Sequence, residues 1–134
     1  MRIKSIDIIP LRIPFEDHSS GVGLMPSKWT EFEVALVKVE TEDGLVGWGD
    51  GFAYHCMAAT VAVIRDMVAP LIVGREVDDV REINRMLQQR LHLHGRYGIT
   101  MFGISAVDIA LWDLAAKAKG VSLAEHIGGR RRDT

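Results

Sequence analysis

Acid–base or metal chemistry needs histidines or carboxylates, and this sequence carries five histidines. His92 and His94 stand two residues apart, which sends them to different faces of a helix, so they do not make a chelating pair. They read as helix-end residues beside terminal carbonyls, where positive charge is favoured. His126 falls in a short final turn and reads as a packed or surface residue. His18 and His55 lie in predicted loops, where function concentrates.

Asp108 and Asp113 occupy the most apolar stretch of the chain. A carboxylate there must be paired or hydrogen-bonded, because leaving it bare is strongly unfavourable. Lys117, four residues past Asp113, offers an ion pair in the favourable helical orientation. The spacing of the two aspartates sets them far apart around a helix, which argues against a shared acid–base site. Cys56 is the one cysteine, so an internal disulfide is excluded and a reducing compartment is expected. No CxxC or Cys–His spacing surrounds it, and it reads as a small apolar filler. P-loop, GxGxxG, HExxH and GxSxG motifs do not occur. Taken alone, the side chains form no catalytic constellation.

The elements that would position these residues follow an α+β order. Residues 2 to 15 read as an edge strand, since Pro10 and Pro14 cannot donate ladder hydrogen bonds. Ile9, Leu11, Ile13 and Phe15 alternate while Ile6 and Ile8 take the opposite parity, which predicts a bulge near position 8 or 9. Residues 16 to 28 break every periodicity and form a long loop. In the second strand Phe32, Val34 and Leu36 oppose Ala35, Val37 and Val39; Glu42-Asp43-Gly44 then turns into a third strand from Leu45 to about Phe52. The result is a three-stranded antiparallel meander. Gly47-Trp48-Gly49 reads as a strand with close backbone packing, not as a phosphate cradle.

A bundle of three main helices and one short turn follows. Met57, Val61, Ile64, Val68 and Leu71 fall at helical spacing, with Pro70 expected to end or kink that helix near Ala69. Asp79 with Glu82 resembles a capping box and opens a helix whose stripe is Val80, Ile83, Leu87 and Leu91, closed by Gly95 and Gly98. The third helix runs roughly from Thr100 to Lys119 and stops at Gly120; Ser122 with Glu125 caps a last single turn ending at Gly128. That third helix is apolar on nearly every side and needs several neighbours to bury it. The chain offers few elements for the purpose, so a piece of a larger protein with its partner surface missing is expected.

The 134 residues are 25% charged and 48% hydrophobic, with a formal net charge of -2. That is ordinary globular composition for one domain, with no general pull toward nucleic acid or anionic membrane. The basic run Arg130 to Arg132 reads as a solvated linker. The amino terminus, MRIKSIDIIPLRIPF, lacks an apolar export core, and no run approaches the roughly twenty apolar residues of a membrane span. The cytoplasm is the expected compartment.

The segment from Gly103 to Gly128 resembles the signature of the mandelate racemase and muconate lactonizing enzyme family of the enolase superfamily. The match runs through Ser105, Ala106, Val107, Asp108, Ala110, Leu111, Asp113, Leu114, Ala116, Lys117, Ser122, Leu123 and Gly128. Gly103 stands where alanine is usual and His126 where leucine is usual. The meander, with its Glu42-Asp43-Gly44 turn and Gly47-Trp48-Gly49-Asp50 strand, is similar to the family's amino-terminal domain.

The resemblance implies that residues 1 to 128 form a capping domain and 129 to 134 begin a linker to a (β/α) barrel. In the family that barrel carries the magnesium carboxylates and the catalytic bases. No metal ligand and no catalytic residue is thereby expected in this chain, and it should bind no magnesium alone. The parent enzyme would abstract the proton alpha to a carboxylate, stabilise the enediolate on magnesium, and act as a racemase, acid-sugar dehydratase or cycloisomerase. Its partners would be the barrel, a small carboxylate substrate and further copies of itself in a homo-oligomer. Two loops of the cap would close over substrate and select it. They map to residues 16 to 28, offering His18, Val22, Leu24 and Met25, and to about 53 to 56, offering Tyr54 and His55. The alternative is a free-standing interaction or ligand-binding module that reuses the cap fold.

Overall fold

The computed structural model describes residues 1–16, 18 and 29–129. Three strands, β1 (Ile3–Pro14), β2 (Glu31–Thr41) and β3 (Val46–Phe52), form an antiparallel sheet in the order β1-β2-β3. The expected meander is present, with the proline-bearing strand at an edge. Alternation in β2 sets the two faces. Ala35, Val37, Val39 and Thr41 are fully buried, while Phe32 on the opposite face is 42% exposed. Between β2 and β3 the chain reverses at Gly44, whose φ of +87° is open to a residue without a side chain.

The bulge expected near position 8 or 9 lies elsewhere: pairing runs unbroken from Ser5↔Glu40 through Ile8↔Val37 and Ile9↔Leu36, and the register shifts between Ile3 and Ser5. That shift brings Ile3 to the core face with Ile6 and Ile8. Ile9, Ile13 and Phe15 belong to the outer face and stay partly exposed. Both faces of β1 are apolar, and this superposition of two parities imitated a bulge.

After β3 the chain forms α1 (Met57–Ala62), a π-helical turn (Val63–Val68) and α2 (Ala69–Ile72) in direct succession. Pro70 therefore does not end the helix near Ala69. It occupies the first turn of α2, where a missing N–H is tolerated, and the helical run continues to Ile72. The chain then returns beside β1, with the Gly74 N–H donating to the Ile3 carbonyl at 2.8 Å. Asp79 caps α3 (Val80–Arg90) by accepting from the Arg81 N–H at 2.9 Å, and Val80, Ile83, Leu87 and Leu91 are buried as a stripe. A 3-10 turn (His92–His94) ends at Gly95. Gly98 does not close α3; it stands directly before α4 (Ile99–Ala118). Gly120 (φ +67°) terminates that helix, and the capping box of Ser122 and Glu125 opens α5 (Leu123–His126). The linker expected at 129–134 falls mostly outside the described residues.

The apolar α4 lies at the centre of the fold. Ile104, Ala106, Val107, Ala110, Leu111 and Leu114 are at most 1% exposed. It packs on β3 and β2 from one side and on α1, the π-helical turn, α3 and α5 from others. The expectation that this chain offers too few elements to bury it is corrected accordingly. Glycine is the reason: the inner face of β3 presents only Gly47, Gly49 and Gly51, so the helix backbone rests on the strand backbone. A Cβ at Gly49 would lie 2.1 Å from the Ala106 carbonyl oxygen, and one at Gly47 2.2 Å from that of Ala110. Gly103 allows the same approach to the π-helical turn, since a Cβ there would meet Val63 at 2.6 Å. What stays open on α4 and α5 is a small apolar patch with Ile109 37% and Ile127 64% exposed. Contrary to the expectation that no run approaches a membrane span, Ile99–Ala118 would suffice by length and composition, but 56% of its most apolar 18-residue window is buried inside the fold, as in a core helix.

Candidate functional site

Antiparallel pairing brings two chain segments to one end of the sheet. Pro14 of β1 pairs with Glu31, and Val34 of β2 pairs with Phe52, the last residue of β3. The β1–β2 connection and the β3–α1 turn therefore leave the sheet side by side.

The second of these is tightly held. Ala53 is fully buried, and its carbonyl accepts the Cys56 N–H at 3.0 Å. Thr60, also fully buried, donates its hydroxyl to the Phe52 carbonyl at 3.0 Å. His55 takes a φ of +51°, a left-handed conformation uncommon for a residue with a side chain. Its N–H donates to Glu33 Oε2 at 2.8 Å. The other oxygen of Glu33 lies 3.1 Å from Arg12 Nε, directly across the β1–β2 ladder.

Aromatic rings tie the turn to the neighbouring connection. Tyr54 meets Trp29 edge-on at 4.9 Å, and Trp29 contacts Phe15 at 5.4 Å and Phe32 at 5.8 Å. Phe52 continues the cluster to Phe102 at the start of α4, 4.8 Å away. The His55 ring packs against Tyr54 at 4.2 Å. Arg12, Trp29, Thr30, Glu31, Glu33, Tyr54 and His55 line a cleft of about 390 Å³ at this end. Its lining offers a guanidinium, two carboxylates, an imidazole and a phenol. Such a surface can hydrogen-bond a hydroxylated ligand.

Of the six loop residues expected from the sequence, Tyr54 and His55 come together here. His18 is exposed, with a φ of +52°. Val22, Leu24 and Met25 lie outside the described residues. Sequence reasoning missed Trp29, Glu33 and Arg12. The aromatic residues flanking each loop were a usable signal, because Phe15, Trp29 and Phe32 bracket the first loop and Phe52 and Tyr54 begin the second.

Several of the other residues singled out from the sequence have structural partners. Asp113 Oδ2 accepts the Trp48 N–H at 2.8 Å and Lys117 Nζ at 2.6 Å, so it satisfies an outward-facing amide of the edge strand β3. Lys117 also donates to the Val46 carbonyl at 3.0 Å. Asp108 accepts from the Asn84 amide at 2.9 Å. His92 donates to the Gln89 carbonyl, at the helix end as expected. A larger hollow of about 540 Å³ lies between the start of α3 and α5, and neither Tyr54 nor His55 lines it. There the Arg81 guanidinium covers Trp112 at 5.1 Å and His126 packs on the same ring at 5.5 Å. Cys56 is half-buried, its sulfur 3.6 Å from the Thr60 hydroxyl. Among the described residues no three of histidine, cysteine, aspartate and glutamate converge so as to hold a metal ion.

Comparison with known proteins gives a consistent result. Residues 24–128 match the family model for the mandelate racemase / muconate lactonizing enzyme, N-terminal domain. A D-galactonate dehydratase family member from Streptomyces bingchenggensis is 41% identical over 100 residues, covering 75% of this chain and 24% of that protein. A D-mannonate dehydratase from Rhizorhabdus wittichii is 38% identical over 97 residues, covering 72% and 24%. Among solved structures, a mandelate racemase/muconate lactonizing protein from Paracoccus denitrificans, complexed with magnesium, superposes with a TM-score of 0.77 at 30% identity. That match covers 98% of this chain and 31% of the other. The chain thus spans about a quarter of the length of the curated relatives it matches.

Proposed function

The chain belongs to the mandelate racemase/muconate lactonizing enzyme family of the enolase superfamily, as its N-terminal domain, and from that premise we propose that it caps the active site of an acid-sugar dehydratase. In this reading the two segments at one end of the sheet face a small hydroxylated carboxylate. They close over it, exclude water and discriminate among stereoisomers, while the chemistry belongs to a barrel domain joined to this one. The joined enzyme removes the proton alpha to the carboxylate and expels a hydroxyl group as water.

One observation carries the reading. Trp29 and Tyr54, from the two different connections, meet edge-on at 4.9 Å, and the adjacent His55 takes a left-handed conformation with its N–H held by Glu33. The names of the relatives, a D-galactonate dehydratase family member and a D-mannonate dehydratase, support acid sugars as the substrate class. The superfamily is magnesium-dependent. The described residues of this chain do not supply a donor set that fits the ion, and in this reading its ligands belong to the barrel. The single cysteine suits a cytoplasmic setting. Assembly of the parent into a homo-oligomer is supported by the apolar outer face of the sheet, where Ile9, Ile13 and Trp48 are each more than a third exposed.

Domain exchange tests the proposal. This chain replaces the N-terminal domain of the Streptomyces relative, and kcat/KM is measured for a panel of epimeric aldonates. The exchanged enzyme should turn over with an altered order of preference, and Tyr54→Phe and His55→Ala should alter that order again. An order identical to the relative's, untouched by either substitution, would sink the proposal.

A further inference from the structure

We infer that Glu33 is a positioning residue whose carboxylate holds the Tyr54–His55 turn in its substrate-facing form. The inference deepens the proposed function and rests on the reading that this turn meets substrate. A left-handed residue that bears a side chain is disfavoured and persists only where its surroundings over-determine it. Glycine would adopt this turn freely, yet the position carries an imidazole packed 4.2 Å from the Tyr54 ring.

The Ala53–Cys56 hydrogen bond closes the turn, and Glu33 is the side chain that holds the left-handed residue's own amide. Glu33 projects from β2, paired with Arg12 of β1 one position before the pairing with β3 begins at Val34, and its side chain is only 10% exposed. Oε2 accepts the His55 N–H at 2.8 Å, a hydrogen bond to a charged acceptor and so stronger than a neutral one. Oε1 is fixed by Arg12 at 3.1 Å, which keeps the carboxylate from rotating away from the turn. Arg12 itself is 66% exposed and acts through Glu33. Glu33 thus reaches out of its strand to the amide of the left-handed residue itself.

The test has two parts. In this chain, amide hydrogen exchange at His55 is followed by NMR in wild type, Glu33→Ala and Glu33→Gln, with the Val37 amide as a reference for the intact sheet. Glu33→Ala should speed exchange at His55 at least about tenfold while Val37 stays protected, and Glu33→Gln, which keeps a carbonyl acceptor, should recover most of the protection. In the domain-exchanged enzyme, Glu33→Ala should shift the aldonate preference as His55→Ala does, and the double substitution should add little to either.

Unchanged exchange at His55 in Glu33→Ala overturns the positioning role whatever the kinetics show. Faster exchange with a substrate preference indifferent to both Glu33→Ala and His55→Ala overturns the substrate-facing reading, and the inference falls with it. Additive effects of the two substitutions on preference also overturn the inference, since Glu33 would then act independently of His55.

Discussion

Replacing Gly49 with alanine probes the contact on which the fold turns. A Cβ added there would lie 2.1 Å from the Ala106 carbonyl oxygen and 2.6 Å from the Ala110 nitrogen. The first distance is about an ångström inside the 3.0 Å floor that real Cβ contacts respect. Both neighbours are backbone atoms of a buried helix, so no side chain can rotate out of the way. Overpacking of this kind costs about 1–3 kcal/mol, and a clash with two backbone atoms belongs near the top of that range. Alanine offsets part of the loss, because glycine gives up roughly 0.5–1 kcal/mol more on entering a strand. The steric effect should win, with a net loss of about 2 kcal/mol.

Urea unfolding followed by tryptophan fluorescence reads this directly. With a slope of about 1.5 kcal/mol per molar, the midpoint should fall by more than about 1 M. Gly51→Ala, where the nearest atom is the Ala106 Cβ at 3.0 Å, should lose less. Gly44→Ala meets nothing within 4 Å and should show only the backbone strain of its positive φ, on the order of 1 kcal/mol. An unchanged or raised midpoint for Gly49→Ala would refute the reasoning, because strand propensity would then outweigh helix-on-strand contact.

Other residues carry predictions of their own. Asp113→Ala strips an acceptor from the Trp48 N–H and a partner from Lys117; the site is part-exposed, so a loss of about 1–2 kcal/mol in urea unfolding is expected, with Asp113→Asn milder. Hydrogen bonds from Lys4 and then Lys38, together with their charges, hold Glu40 at a pKa of about 2 against the usual 4.5. A lowered carboxyl pKa contributes stability that is present above 4.5 and lost as pH falls toward 2. Glu40→Gln should therefore flatten the stability curve across that window, and high salt should shrink the difference. Ser122→Ala removes the hydroxyl of the α5 capping box and should weaken that turn by about 1 kcal/mol, read as loss of the His126–Trp112 contact by NMR.

Much of this architecture was legible in the sequence, for local reasons. The parity of Ala35, Val37 and Val39 marks the inner face of β2, and the glycines at 47 and 49 announce a close approach without naming the helix that makes it. Asp79 and Ser122 mark helix starts because side-chain oxygen beside a free N–H is a short-range device. Features decided by distant contacts were not legible. The π-helical turn lies where Val63 comes up against Gly103 of α4, and no periodicity records it. The bulge was misplaced because β1 is apolar on both faces. At the candidate site Tyr54 and His55 stood out as loop residues, whereas Glu33 lay hidden in a strand. Its role comes from a turn 22 residues away that antiparallel pairing folds back onto it.

Titrating magnesium into this chain by calorimetry, with an acid sugar present, tests the central claim most directly. A lid whose metal carboxylates and bases reside on a separate barrel should give only weak, non-stoichiometric heats and no dehydration product. Tight one-to-one binding accompanied by turnover would contradict the account.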